Sequence, residues 1–275
     1  MASTVPLAHD RLGSGEPLVL LHGLGGERHV WEPVLAPLAE RRTLIVPDLP
    51  GFGASPPLPD AAGPPAPALL AASVARLLDE LGLDAPDVAG SSLGGWVALE
   101  LALRGRARSV TALCPAGFWR RPLRPRRDRA RTLARALRPL VPLLVRIPPA
   151  RRAVLGSTVA HPARVGPRAA ARMIRTYAAA PGFAAVDAAM RAGRFAAIAD
   201  VPVPVTLAWG EHDRLVSPPC EAPLGVTSLT LAGCGHLAMW DDPELVTRVL
   251  LEGAGEAATP AASADGTPSA THPRA

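Results

Sequence analysis

Residues 87–103 pass from a short apolar strand, Asp87-Val88-Ala89, through Gly90-Ser91-Ser92-Leu93-Gly94 into a helix over about Leu93 to Leu103. Few backbones accommodate that passage. A serine held on a sharp strand-to-helix turn crowds its neighbours on either side, so glycine at 90 and 94 removes the Cβ atoms that would clash. The turn lifts the Ser92 hydroxyl clear of the sheet, and the start of the helix supplies partial positive charge and free N–H groups. Ser92 therefore reads as a nucleophile, with Ser91 at the variable position of a G-x-S-x-G pattern.

The flanking sequence builds the matching scaffold. Apolar runs at Pro17–Leu21, 42–46 and Ser109–Leu113 alternate with helical stretches. One of these, over 68–81, repeats Leu69, Leu70, Val74, Leu77, Leu78 and Leu81 at helical spacing before Gly82. Such alternation predicts an α/β fold, a mostly parallel sheet flanked by helices. After Phe118 the pattern changes. Residues 118–198 are helical in spacing, rich in arginine and broken by proline, and strands resume at 204–209 and 228–231 before a final helix over 243–251. We expect a core of residues 1–117 and 199–252, an inserted helical cap at 118–198, and a disordered tail at 253–275 composed mainly of Ala, Gly, Pro, Ser and Thr.

A serine attacks only when a base takes its proton. Of the seven histidines, His236 in Gly233-Cys234-Gly235-His236 follows the last strand, at the sheet edge where open α/β folds build sites. A third group must orient the imidazole. Gly210-Glu211-His212-Asp213 follows the strand ending at Trp209 and offers Asp213, with Glu211 as the fallback. The loop after 109–113, Cys114-Pro115-Ala116-Gly117, holds no carboxylate. Donors for an oxyanion are sought in His22-Gly23-Leu24-Gly25-Gly26, with the Leu24 and Leu93 N–H groups as candidates. By itself His22-Gly23 is also an ordinary glycine turn.

These segments resemble the α/β-hydrolase superfamily, and its capped, serine-nucleophile branch of esterases, lactonases, carbon–carbon bond hydrolases and perhydrolases in particular. The resemblance rests on Leu20 to Gly26, Asp48-Leu49-Pro50-Gly51-Phe52-Gly53-Ala54-Ser55, Gly90 to Gly95, Gly210 to Asp213, and Gly233 to His236, in the family's order across 17–252. It implies a Ser92, Asp213, His236 triad, motif-supporting roles for His22, Gly23, Gly90 and Gly94, and no cofactor or metal. It also implies that the haloalkane dehalogenases and epoxide hydrolases of this fold, which use Asp at the position of Ser92, are excluded. Asp48 and its turn resemble a structural loop. One departure stands out: where the family carries a helix after Asp213, Ser217-Pro218-Pro219-Cys220-Glu221-Ala222-Pro223 is short and Pro-rich. The expected reaction is hydrolysis of a small or medium apolar ester, thioester or lactone through an acyl-enzyme. The alternatives are an acyltransferase or perhydrolase with the same triad, and a ligand receptor of little turnover.

Composition matters most in the insertion. All 29 basic residues are arginine, which we read mainly as compositional bias. Eighteen of them fall in 118–198 beside two acids, Asp128 and Asp187. Three readings stay open: a solvated face, an entrance that steers anionic substrates, and weak association with an anionic membrane surface. Aromatic stacking residues are nearly absent, which argues against nucleic acid. The apolar residues of the insertion, including Leu140, Leu143 and Ile147, are expected to pack on the core or line a pocket. A hydrophobic content of 48% excludes global disorder. Three scattered cysteines offer neither a disulfide framework nor a metal site. With no apolar run long enough to span a membrane and no leader pattern at the N-terminus, a cytoplasmic protein is expected.

Overall fold

The computed structural model describes residues 5–125, 128–219 and 225–256. Seven strands, β1 (His9–Leu12), β2 (Pro17–Leu21), β3 (Thr43–Pro47), β4 (Asp87–Ser91), β5 (Ser109–Leu113), β6 (Val205–Gly210) and β7 (Thr227–Leu231), form one sheet in the order β1-β3-β2-β4-β5-β6-β7. Only β1 runs antiparallel, pairing with β3; the other neighbours are parallel. β2 to β5 are nearly continuous buried runs, as strands covered on both faces must be. β1 is an addition to the expected set. His-Asp-Arg-Leu is an edge strand, half-buried and exposed along its length, and carries no apolar run.

Helices cover both faces. α1 (Glu32–Ala39) and α10 (Pro243–Gly253) enclose a cluster built on Leu18, Leu20, Trp31, Leu44 and Leu250. α2 (Pro67–Glu80) and α3 (Leu93–Leu103) enclose the other, built on Val19, Leu21, Leu70, Val97 and Leu207. α3 is apolar but for the half-buried Glu100 and nearly every residue is buried, so it is a core element and not an amphipathic surface helix. Position 42, expected to open a strand, serves instead as an ion-pair anchor, with the Arg42 guanidinium buried against the Asp87 carboxylate.

Between β5 and β6 the described residues form five α-helices, α4 (Arg129–Ala136), α5 (Val141–Leu144), α6 (Pro148–Leu155), α7 (Pro167–Ala179) and α8 (Phe183–Ala192). They hold a small cluster of their own, with Val141, Val145, Leu155, Val165, Ala170 and Ile174. Both ends of this segment are pinned by aromatic edge-to-face contacts, Trp96 with Trp119 and with Phe195, and Phe118 with Trp209. A short α9 (Ala238–Asp241) precedes α10. Of the segment expected to be a tail, Gly253 closes α10 and Glu256 pairs with Arg41 and Arg42; residues 257–275 lie outside the described residues. No helix is long and apolar enough to cross a membrane among the described residues.

Strand order reverses between β2 and β4. β2 leads to β3 on one side of the sheet, and the chain then crosses to β4 on the other. That switch point leaves a crevice at the carboxyl ends of the two strands, where α/β sheets place their ligands.

Candidate active site

Ser92 stands at that crevice. Its φ of 54° and ψ of −115° put a non-glycine residue in a region costing about 1–3 kcal/mol. Four backbone hydrogen bonds hold it there: Ser92 N–H to Leu113 O (2.8 Å), and Gly95 N–H (3.0 Å), Trp96 N–H (3.3 Å) and Ala116 N–H (3.0 Å) to Ser92 O. Both glycines are sterically required, Gly90 against the start of α3 and Gly94 against the end of β2. A Cβ on Gly90 would lie 2.2 Å from Gly94 C, and one on Gly94 would lie 2.1 Å from Leu21 O.

The turn after β2 lies directly against the serine, since a Cβ on Gly23 would sit 3.1 Å from Ser92 Cβ. Its shape is set by His22. The buried ring donates from Nδ1 to Gly23 O (2.8 Å) and accepts the Leu49 N–H at Nε2 (2.9 Å). Those partners fix one neutral tautomer, and burial pushes the His22 pKa down. Gly26 N–H closes the turn onto Gly23 O at 3.0 Å. Leu93 opens α3, so its N–H has no partner within the helix. Asp48 acts on His22 through its charge, against the effect of burial. Its buried carboxylate accepts the Arg28 and Ala54 N–H groups and the Arg28 guanidinium, which makes it the staple of the 48–55 loop.

Asp213 and His236 are joined, His236 Nδ1 donating to Asp213 Oδ2 at 2.7 Å. Asp213 Oδ1 takes the Leu215 N–H (2.7 Å) and the Val216 N–H (3.1 Å). These two bonds seat the acid through residue 216. No helix follows it up to residue 219, and residues 220–224 lie outside the described residues. Burial pushes the Asp213 pKa up, but the hydrogen bond and charge of His236 and the two backbone donors outweigh it, and the carboxylate is held below its usual range. Glu211, the fallback acid, faces elsewhere and accepts the Gly233 N–H at 2.7 Å. Among the described residues the Ser92 hydroxyl makes no hydrogen bond, so of the two links among these three residues the serine–imidazole one is not formed here. Such contacts commonly tighten only when substrate is bound.

Two residues here escaped the sequence reading. Cys114, itself at φ 46°, accepts the Gly210 N–H on Sγ at 3.2 Å and lies behind the pair. The donor atoms of Cys114, Asp213 and His236 lie within 4.8 Å of one another. This set does not suit a cation, because both Asp213 oxygens already accept N–H donors and burial together with the Asp213 charge pushes the Cys114 thiol far up, keeping it protonated. Asp241 is the second. Its buried carboxylate accepts Gly235 N–H (2.8 Å) and Ala160 N–H (3.0 Å) on Oδ2, and His161 N–H (2.7 Å) on Oδ1. It therefore ties the loop carrying His236 to the segment between α6 and α7. Leu237 N–H adds a bond to Thr158 O at 2.8 Å. Neither role had a signal in the sequence, since each depends on chain segments far apart in order.

The helical segment meets this edge at four loops. Tyr177 and Phe183 press on Gly25, Gly182 lies on Gly51, Phe195 on Gly117, and Val159 and Ala160 on Gly235. A separate cavity of about 630 Å³ opens at the other edge of the sheet, between Asp87, Arg108, Ser109 and the amino ends of β6 and β7. Its one buried carboxylate, Asp87, is already taken by Arg42, Arg108 and Ser109.

A mostly parallel sheet of this order, with a strained serine turn at its switch point and a carboxylate–imidazole pair at the same edge, has the architecture of the α/β hydrolases. Residues 18–249 match the model of the alpha/beta hydrolase family, and the chain belongs to that family and is an enzyme of its type. The chain is 42% identical over 108 residues to the dihydrolipoyllysine-residue acetyltransferase component of the acetoin cleaving system of Cupriavidus necator, a match covering 38% of this chain and 28% of that protein. It is 61% identical over 54 residues to epoxide hydrolase EphH of Mycobacterium tuberculosis, covering 20% of this chain and 25% of that one. The matched stretches thus span well under half of these relatives. Among solved structures, a thermophilic esterase from Thermogutta terrifontis superposes with a TM-score of 0.68 at 25% identity, covering 90% of this chain and 92% of its own.

Proposed function

We propose that the protein hydrolyses a small or medium apolar ester, thioester or lactone through an acyl-enzyme on Ser92. The observation that carries this reading is the 2.7 Å hydrogen bond between His236 and Asp213 at the edge of the sheet where Ser92 stands strained. His236 Nε2 takes the Ser92 proton as Oγ attacks the acyl carbonyl, and Asp213 holds the Nδ1–H and offsets the charge that forms. The Leu24 and Leu93 N–H groups receive the oxyanion, a contribution worth about 3 kcal/mol per donor in comparable sites. The tetrahedral adduct collapses with the proton passing from His236 to the leaving oxygen or sulfur. Water then attacks the acyl-enzyme by the same relay and frees the acid. Residues 118–198 act as the cap: Tyr177 and Phe183 lie over the Gly25 turn, where they exclude water and bound the acyl pocket.

The likeness to the Thermogutta esterase supports the ester reading. The stretch shared with an acetyltransferase component favours one alternative, transfer of the same acyl group to an acceptor other than water. We read the compartment as a reducing cytoplasm, because Cys114 and Cys234 are buried free thiols. The test is turnover of activated esters graded by acyl length, beside Ser92→Ala. Activity in the parent and none in the variant supports the acyl-enzyme, and equal activity in both refutes it. Added alcohol or amine nucleophiles distinguish transfer from hydrolysis by the products formed.

A further inference from the structure

Among the described residues, seven large apolar side chains are exposed, and five of them, Leu133, Leu140, Leu143, Ile147 and Val154, fall within 22 consecutive residues of the insertion. Each is between 49% and 59% exposed. The sequence led us to expect that Leu140, Leu143 and Ile147 would pack inward, but they do not. α4, α5 and α6 lie on α7, with Val141, Val145 and Leu155 turned in toward Ala170 and Ile174. Leu140, Leu143 and Ile147 recur at spacings of three and four on the outward side. Arg129, Arg135, Arg138, Arg146 and Arg152 are exposed in the same stretch. Acids are scarce around them, for the chain has no Asp or Glu between Asp128 and Asp187. The result is a surface on which aliphatic side chains alternate with cations in large excess over acids.

We propose that the outer face of α4–α6 docks on an anionic phospholipid bilayer. Charge complementarity selects the partner's sign, since exposed guanidinium groups in a stretch of chain without acids gain most from phosphate headgroups. The aliphatic stripe selects its phase. Leucine, isoleucine and valine side chains left in water gain by entering the headgroup–acyl boundary, as those of interfacial segments do. A nucleic acid would call for aromatic platforms, and residues 129–154 contain no Phe, Tyr or Trp. A protein partner would ordinarily be anchored by the same aromatic types. The face lies on the outside of the layer whose inner side meets the site: Arg131 of α4 donates to Tyr177 O and Ala180 O, and Tyr177 lies on the Gly25 turn. Docking would hold the active-site edge near the membrane surface, where apolar acyl compounds partition. The docking claim does not depend on the catalytic assignment.

The experiment is co-sedimentation of the full chain with phosphatidylcholine vesicles, with and without about 30% phosphatidylglycerol, at low and high salt. We expect binding only to the anionic vesicles, weakened about five-fold for each arginine removed in the series Arg135→Gln, Arg138→Gln and Arg146→Gln. It should also fall at least ten-fold in Leu140→Ser/Leu143→Ser. These positions are exposed, so circular dichroism and soluble-ester turnover serve as the fold control. Equal binding to neutral and anionic vesicles would overturn the proposal. So would variants that bind like the parent, or retention on a soluble acidic protein with no vesicle binding.

Discussion

The core and the insertion use the same cation in opposite ways. In the core Arg28, Arg42, Arg76, Arg106 and Arg108 each meet a carboxylate. At the foot of the sheet Asp87 alone takes Arg42, Arg108 and the Ser109 hydroxyl. In α4–α6 the exposed arginines face water beside exposed leucines. Arginine enrichment is therefore one compositional fact with two physical outcomes, decided by whether acids are supplied nearby. In the core it locks strand ends together; in the insertion it leaves a charged outer surface.

The contrast can be broken most severely at Ser92. If the chemistry belongs to the core edge, Ser92→Ala lowers kcat by about 10⁴-fold or more while the melting curve stays in place. Esterase assays beside calorimetry would measure both. Next comes Asp87→Ala, which removes the buried partner of Arg42 and leaves it only the half-buried Glu256; it should cost about 3–5 kcal/mol in urea unfolding. A loss below about 1 kcal/mol, the range of an exposed ion pair, would mean that the core network is no more than surface decoration.

Asp241→Asn falls between the two regions. An amide in place of the carboxylate turns N–H groups either toward the His161 N–H or toward those of Gly235 and Ala160, so the seam between the His236 loop and the 158–161 segment shifts. A displacement of that order lowers kcat by roughly 10 to 100-fold. Steady-state kinetics with intact circular dichroism would register it, and unchanged kcat would detach the loop from the insertion.

Acid sharpens the comparison further. Burial pushes the Asp87 pKa up, but the hydrogen bonds of Arg108 and Ser109 and the charges of Arg108 and Arg42 outweigh it and bring it below the usual value. Asp213 is lowered as well, chiefly by His236 working against burial. Both folded-state values lie under the unfolded ones, so the stabilisation is present above about pH 4 and is lost as pH falls through the lowered values. Unfolding followed against pH should show a shallower acid decline in Asp87→Asn than in the parent. The smallest effect is expected at Arg146→Gln, within about 0.5 kcal/mol of the parent; a larger loss would reveal a partner for the outer face within the fold.

Legibility followed how local each constraint is. The serine turn could be read because its steric demands fall on Gly90 and Gly94, two residues away. His236 could be read because a glycine-rich loop closes the last strand, whereas Asp213 and Glu211 could be ranked but not separated until their partners were seen. β1 was missed because an edge strand needs no apolar run. Asp241 and Cys114 were out of reach for a different reason, since their partners arrive from Ala160, His161 and Gly210. The outward turn of Leu140 and Leu143 depended on which face α7 would cover, and spacing alone gives no direction.

The carboxylate of Asp241 has a consequence for anyone exchanging parts among hydrolases. The helical segment between β5 and β6 invites transplantation as a module. Yet its residues 160 and 161 complete the hydrogen-bonding shell of the loop that bears His236. A graft that ignores this seam would break the hydrogen bonds that hold the His236 loop in place. One that retains 158–161 from the recipient keeps the two halves in register.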